Sequence, residues 1–326
     1  MKKTGLLAIV LILVLVGVFA SGALAKVYKI GATQIISHPA LDNCRKGFMD
    51  QMKAEGFEEG KDIQYDFSNA EGDMSMVASI ARKFVSAKVD LIYTMSTPSS
   101  QACVAAAKDT SIPVIFGAVT DPVAAKLIDS WDKPGGNCTG VSDWTEISPQ
   151  LQVMKEILPN LKRIGVVYNA GEKNSVVQVD DLKKAISRFG ISDVVEATAA
   201  TTADVQAAAM SLAGKVDAIW IPTDNTATSA QDSIIKVCEE KKIPFFVADV
   251  TSVEKGAIAA PGFSYYEIGK EAAKMAARVL KGAKPADIPA LKPKYTDLYV
   301  NPSEAKRMGV TIPESVLKKA TKVVGR

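Results

Sequence analysis

The stretch PVIFGAVTDPVAA (Pro113–Ala125) begins as a continuous apolar run and ends in a hydroxyl, a carboxylate and a proline. A short run without polar interruption is typical of a strand that is buried on both faces of a parallel sheet. Thr120, Asp121 and Pro122 then resemble a helix start, because Asp is a favoured N-cap residue and Pro is favoured at the first helical position. No histidine, cysteine or lysine stands directly beside them, so this strand end does not indicate an active site.

The alternation of apolar strands with amphipathic helices occurs twice along the chain. One series runs from residue 28 to residue 142, and a second series of similar order begins at residue 163. Strands separated by helices predict parallel βαβ units. The length of 326 residues fits about two domains. The sequence therefore predicts an α/β fold with two Rossmann-like parallel-sheet domains.

The N-terminal residues have the pattern of an export signal. Lys2 and Lys3 precede an apolar run over Leu6–Ala20, and the small-x-small motif Ala23–Ala25 follows. We predict a signal peptide over residues 1–25 that is cleaved after Ala25; the alternative, an uncleaved anchor, is disfavoured because a spanning helix needs about 20 apolar residues. Cleavage lowers the formal charge from +3 to +1 with the loss of two lysines. A nearly neutral protein is not expected to bind nucleic acid or anionic membranes.

Catalytic, metal and cofactor motifs are not found in the sequence. The chain has one histidine and four widely spaced cysteines, with no GxSxG, GxGxxG, Walker lysine or HExxH motif. The glycines of Gly135–Gly140 have phosphate-loop spacing, but Val141 stands where the lysine is needed. His38 belongs either to a cleft or to a loop, and the cysteines leave a disulfide undecided. We therefore predict no enzyme, no metal and no cofactor.

Short hydrogen-bonding side chains follow nearly every predicted strand. In an open parallel sheet, ligands bind outside the carboxyl ends of the strands. Helix capping is the alternative role for these residue types, and Thr97 before Pro98 is predicted as a cap. Both roles are compatible, because helix N-termini also bind carboxylates. The predicted ligand-binding residues are Thr33, Gln34, Thr97, Ser99, Thr120, Asp121, Ser142, Asp143, Asn169, Asp224, Asn225, Asp249 and Tyr265.

Several segments together carry a resemblance to a known family. Among them are ATQIISHPALDNCRKGF, FSNAEGD, STPSSQA, VIFGAVTDPVAAKLI, KPGGNCTGVSD and VDAIWIPTDNT, in consistent order between about Thr33 and Pro289. The chain resembles the periplasmic substrate-binding proteins of ABC importers, in the subgroup related to the tryptophan/phenylalanine-type binding proteins. The resemblance implies the type I periplasmic-binding-protein fold, with three crossovers near Asp143, Phe263 and Leu291. The two lobes would be residues 26–143 plus 264–292, and residues 144–263 plus 293–326.

The resemblance implies an exported, periplasmic solute-binding protein that captures an L-amino acid, aromatic or apolar, and delivers it to the permease of an ABC importer. The chain is expected to act as a monomer. Thr33, Thr97 and Ser99 suit a carboxylate, and one of the strand-end aspartates suits an ammonium group. Alternatives are a sugar, a nucleoside or another small solute, or a ligand-sensing domain on the same scaffold. Candidates for stacking on the ligand, with core packing as their alternative, are Trp144, Tyr168, Tyr265 and Tyr266.

Overall fold

The computed structural model describes residues 26–294 and 297–325, so the predicted signal peptide lies outside the described residues. Within this part of the chain, the first sheet has five parallel strands in the order β2-β1-β3-β4-β5. Three of its strands, Leu91–Met95, Val114–Gly117 and Cys138–Val141, are buried throughout because helices cover both faces, as the uninterrupted apolar runs predicted. The strands are β1 (Tyr28–Gln34), β2 (Ile63–Asn69), β3 (Leu91–Met95), β4 (Val114–Gly117) and β5 (Cys138–Val141).

The helices that pack on this sheet are α1 (Pro39–Ala54), α2 (Met74–Ser86), α3 (Thr97–Ala107) and, from far along the chain, the helix Tyr265–Leu280. That late helix packs closely against α1. A Cβ atom on Gly47 would lie 2.0 Å from the carbonyl oxygen of Tyr266, and one on Gly269 would lie 1.9 Å from that of Cys44. The two glycines thus let the helix backbones touch.

The second sheet has four parallel strands in the order β7-β6-β8-β9, and β10, β11 and β12 form a smaller sheet beside it. The strands of these two sheets are β6 (Arg163–Tyr168), β7 (Asp193–Thr198), β8 (Ala218–Ile221), β9 (Phe245–Val247), β10 (Ala259–Gly262), β11 (Asp297–Val300) and β12 (Lys322–Val323). The helices are α4 (Ile147–Ile157), α5 (Lys173–Ala185), α6 (Val205–Ser211), α7 (Asn225–Ser229), α8 (Gln231–Lys241), α9 (Thr251–Lys255), α10 (Tyr265–Leu280, on the first sheet), α11 (Pro302–Arg307) and α12 (Glu314–Lys319), with 3-10 turns at Ile186–Phe189, Thr202–Asp204 and Pro285–Asp287.

Buried apolar residues form two separate clusters, one around each sheet. The first draws on residues 30–141 and 263–290, and the second on residues 147–260 and 300–316. We refer to the two bodies as the first and second lobes. Backbone bonds tie two connecting segments together, since Ser142 N donates to Leu291 O at 2.8 Å and Leu291 N donates to Gly140 O at 3.0 Å.

Two local predictions were wrong. The N-cap of α3 is Ser96, while Thr97 already belongs to the helix. The segment after Asp121 is a turn and not a short helix, since Lys126 has a φ of 60° that breaks any helical continuation. No helix within residues 26–294 and 297–325 is long and apolar enough to span a membrane.

Candidate ligand-binding cleft

The carboxyl ends of the two sheets face each other across a cleft between the lobes. Two polar contacts cross it. Thr120 Oγ1 lies 2.9 Å from Thr223 Oγ1, and His38 Nε2 lies 3.4 Å from Asn225 Oδ1. Thr120 follows β4 and His38 precedes α1 in the first lobe. In the second lobe, Thr223 lies between β8 and α7, and Asn225 is the first residue of α7.

The larger of two adjoining cavities in the cleft has a volume of about 490 Å³. This size lies in the usual range for small-molecule sites. Apolar side chains make up part of its wall, and polar groups from both lobes line the rest. It is lined by Ile35, Ile36, Glu71, Gly72, Asp73, Met74, Pro98, Asn169, Gly171, Glu172, Ala200, Thr201, Thr202, Asn225 and Thr226.

The smaller cavity is lined mostly by residues with polar side chains and holds only about 10 Å³. A space of that size fits about one water molecule, and hence one ammonium group. Asn225 lines both cavities, so the two adjoin. The lining residues of the smaller cavity are His38, Ala40, Leu41, Asp143, Thr223, Asp224, Asn225, Thr228, Asp249 and Tyr265.

Asp143 is a buried carboxylate that accepts side-chain hydrogen bonds from hydroxyl groups. Thr120 Oγ1 donates to its Oδ1 and Tyr265 OH donates to its Oδ2, both at 2.9 Å. Because Thr120 has one hydroxyl hydrogen, it acts as the acceptor in its contact with Thr223, whose own hydroxyl hydrogen is shared between Thr120 and Gln178 Oε1 at 3.1 Å. Burial raises the pKa of Asp143 to about 6, although the two hydroxyls oppose this shift. A cation in the small cavity would stabilise the charged carboxylate.

The other predicted aspartates are occupied by backbone N–H groups at turn or helix starts. Asp121 accepts from the amides of Val123 and Ala124 at 3.1 and 2.9 Å. Asp249 accepts from the amides and hydroxyls of Thr251 and Ser252.

Asp224 is also a cap, and it is fully buried. It accepts from Ala227 N and Asn169 N at 2.7 Å and from the Ser175 hydroxyl at 2.6 Å. Burial and the nearby charge of Glu172 raise its pKa. These three aspartates all accept from backbone N–H groups of other residues, whereas the other residues that donate to Asp143 are Thr120 and Tyr265, through their hydroxyls.

Glu172 was not predicted as a site residue, although the larger cavity exposes it to the cleft. Its carboxylate accepts from the backbone and side chain of both Asn225 and Thr226, and from Asn174 Nδ2 at 3.0 Å. Asn225 and Thr226 lie more than fifty residues along the chain from Glu172, so only the fold brings them to it. The segment NAGEKNSV that contains Glu172 was the available signal.

The start of α3 carries three buried hydroxyls, of Ser96, Thr97 and Ser99. In the described part of the chain none of them has a hydrogen-bond partner. Ser96 also has φ 87° and ψ 154°, a backbone conformation that is essentially confined to glycine and costs about 1–3 kcal/mol. Pro98, between two of the hydroxyls, lines the larger cavity. Such unpaired donors beside the free N–H groups of a helix start suit an anion.

The remaining predicted residues have mainly local partners. Gln34 donates to Asp42, the Ser142 hydroxyl donates to Thr120 O at 2.8 Å, and Asn169 lines the larger cavity. Thr33 is buried. Of the four aromatic candidates, Tyr265 lines the smaller cavity; Tyr168 donates to Glu196, Tyr266 donates to Asp50, and Trp144 lies near Lys292.

All four cysteines are buried and free, and no cluster of His, Cys, Asp or Glu between residues 26 and 294 or 297 and 325 is arranged to hold a metal ion. Two lobes, each built on a parallel sheet, enclose a polar cleft with an adjoining cavity. Fold and cleft together define a two-lobed binding protein for a small molecule.

The chain belongs to the ABC transporter substrate binding protein family, which matches residues 29–324. This confirms the resemblance inferred from the sequence, and the architecture is the type I periplasmic-binding-protein fold that it implied. A protein named tyrosine-binding protein, from Clostridioides difficile (strain R20291), is 42% identical over 86% of this chain and 80% of its own length.

Two solved structures differ in their likeness to this chain. The ABC domain from Streptococcus pneumoniae in complex with L-Trp is 37% identical and has a TM-score of 0.88, over 92% of this chain and 100% of that one. The ligand-free, open structure of a substrate binding protein with adhesive properties from Clostridium difficile is 41% identical over the same shares, yet its TM-score is 0.68. The identities are similar, so the overall backbone of this chain is closer to that of the L-Trp complex than to that of the open structure for a reason other than sequence identity.

Proposed function

We propose that this chain captures an L-amino acid with an aromatic side chain in the cleft and delivers it to the permease of an ABC importer without converting it chemically. The observation that carries the proposal is Asp143, a buried carboxylate whose side-chain donors are hydroxyls and which borders a space of ammonium size. Two similar proteins support the ligand class, since one is named for tyrosine and another was solved with L-Trp.

The three parts of the ligand, its ammonium group, carboxylate and side chain, have separate partners in the cleft. The ammonium group lies in the small cavity against Asp143. The carboxylate lies at the start of α3, where the hydroxyls of Thr97 and Ser99 are unpaired within the described chain. The side chain extends into the cavity of about 490 Å³, beside Ile36 and Met74. This assignment leaves Asp121, Asp224 and Asp249 as caps that shape the cleft.

The lobes move as rigid units about the crossovers near residues 143, 263 and 291, as domain closure by hinges requires. The separate hydrophobic clusters support this division. The crossing contacts of Thr120 and His38 form only when the cleft closes. Closure therefore connects occupancy of the small cavity to the shape that the permease recognises.

We further propose that the protein is exported to the periplasm after cleavage of residues 1–25 and works as a monomer.

A thermal-shift screen tests the ligand class. The purified protein is heated with each L-amino acid and with sugars and nucleosides, since a ligand that binds only the folded state raises the melting temperature. L-tyrosine, L-tryptophan and L-phenylalanine are expected to give the largest shifts. A shift with a sugar or nucleoside and none with any amino acid would overturn the proposed class.

A further inference from the structure

His38, the chain's single histidine, occupies the cleft directly before α1. Its side chain is 8% exposed and borders the small cavity. Nε2 contacts Asn225 Oδ1 across the cleft, whereas Nδ1 has no hydrogen-bond partner among the residues the structure describes. Buried polar atoms are nearly always hydrogen-bonded, so the lone Nδ1 indicates a partner that arrives with the ligand.

The orientation of the Asn225 amide decides which ring nitrogen carries the hydrogen. Its Nδ2 donates to the carboxylate of Glu172, which also accepts from Asn225 N at 3.1 Å. The amide oxygen, an acceptor, therefore faces His38 Nε2. A neutral imidazole has one donor and one acceptor nitrogen. The contact with Asn225 thus requires hydrogen on Nε2 and leaves Nδ1 as an acceptor.

The surroundings of the ring favour its neutral form. Burial lowers the pKa of His38. The effects that raise this pKa are smaller: they are the negative charges of Asp249, Asp42 and Glu172 and the hydrogen bond to Asn225. The other titratable groups that border the same cavity are Asp143, Asp224 and Tyr265. An uncharged ring thus borders a cavity that is also lined by several carboxylates.

We propose that His38 is a ligand-contact residue whose Nδ1 accepts a hydrogen bond from the ammonium group of the bound amino acid, with Asn225 and Glu172 as the positioning residues that hold the ring in its Nε2–H form. The inference rests on the proposed amino-acid site. His38 and Asp143 then supply two acceptors to one ammonium group, one neutral and one charged. Protonation of His38 would replace the acceptor by an N–H donor and repel the ligand.

Nitrogen NMR of the protein labelled at histidine tests the contact, because a single histidine gives unambiguous ring signals. The spectra are recorded with and without L-tyrosine or L-tryptophan. The bound form is expected to show neutral His38 protonated on Nε2, with the Nδ1 resonance shifted by a new hydrogen bond. A ring that is protonated, that carries hydrogen on Nδ1, or that does not respond to a bound amino acid would overturn the inference while leaving the amino-acid site intact.

Substitutions separate contact from stability. His38→Gln is expected to weaken L-tyrosine binding at least about tenfold at pH 8, as loss of a hydrogen bond to a charged group implies. Glu172→Gln frees the Asn225 amide to turn, so the tautomer of His38 should change in the NMR spectrum. Unchanged affinity in the first variant, or an unchanged tautomer in the second with its melting transition intact, would contradict the assignment. If neither aromatic amino acid binds even the unmodified protein, the amino-acid site itself is wrong.

Discussion

Asp121 and Asp143 occupy similar places after the neighbouring strands β4 and β5, yet their surroundings differ. Asp121 is half-buried and accepts from two backbone amides of the turn that follows it. Asp143 is buried, and its side-chain donors are the hydroxyls of Thr120 and Tyr265. The surroundings, and not the residue type, therefore distinguish the two carboxylates, and the proposed function assigns only Asp143 to the ligand.

The contrast between Asp121 and Asp143 predicts that Asp143→Asn has the largest effect on ligand affinity. Removal of one partner of a buried charge pair costs several kcal/mol. We expect L-tyrosine affinity to fall at least about a hundredfold in calorimetry. Asp121→Asn is the matched control and should bind within about threefold of the unmodified protein, since that carboxylate caps a turn. Equal losses in the two variants would remove the distinction between the strand ends.

The start of α3 offers a similar contrast between neighbouring serines. The Ser99 hydroxyl is unpaired within the described residues, whereas the Ser100 hydroxyl lies 2.7 Å from both Thr94 Oγ1 and Ser96 O. Ser99→Ala should weaken binding about tenfold by the loss of a bond to the ligand carboxylate. Ser100→Ala should lower the melting temperature and leave affinity unchanged. The reverse pattern would place the carboxylate elsewhere.

The pH dependence of affinity gives a further distinction. The ligand ammonium needs ionised Asp143, whose pKa is raised to about 6 in the unoccupied site. Affinity for the amino acid should therefore rise by up to about tenfold per pH unit below pH 6, and it should level off above that pH. The pKa of Asp143 is higher in the folded protein than its ordinary value of 3.8, so the unliganded protein should lose some stability as the pH rises from 3.8 to about 6. His38 is a second titratable group at the same cavity, so the pH dependence of affinity is measured in the His38→Gln variant, once with Asp143 and once with Asp143→Asn. Identical pH profiles of affinity in these two proteins would contradict Asp143 as the ammonium partner.

The smallest expected effect concerns Asp121 alone. Asp121→Ala removes an N-cap-like acceptor, which typically costs about 1 kcal/mol. The melting temperature should fall by about 2–4 °C, measured by calorimetric unfolding without ligand. A fall in affinity without any change in melting temperature would assign Asp121 to the ligand instead.

The sequence predicted the parallel sheets and the polar strand ends because period and composition are local properties. The roles of individual residues were less accessible. Asp121 and Asp143 look alike in sequence, and only the fold shows which one meets backbone N–H groups. Glu172 was missed because its partners Asn225 and Thr226 are distant in the chain. Thr97 was mistaken for the cap of α3 because the unusual φ of Ser96 leaves no trace in residue type.

The most direct test of the central claim is calorimetric titration with L-tyrosine and with its analogue that lacks the amino group, 3-(4-hydroxyphenyl)propionate. The two share the aromatic ring and the carboxylate and differ only in the ammonium group. We expect L-tyrosine to bind with a Kd of about 1 μM or tighter and the analogue to bind at least about a hundredfold more weakly. Equal affinities would show that the buried carboxylate of Asp143 does not read the ammonium group.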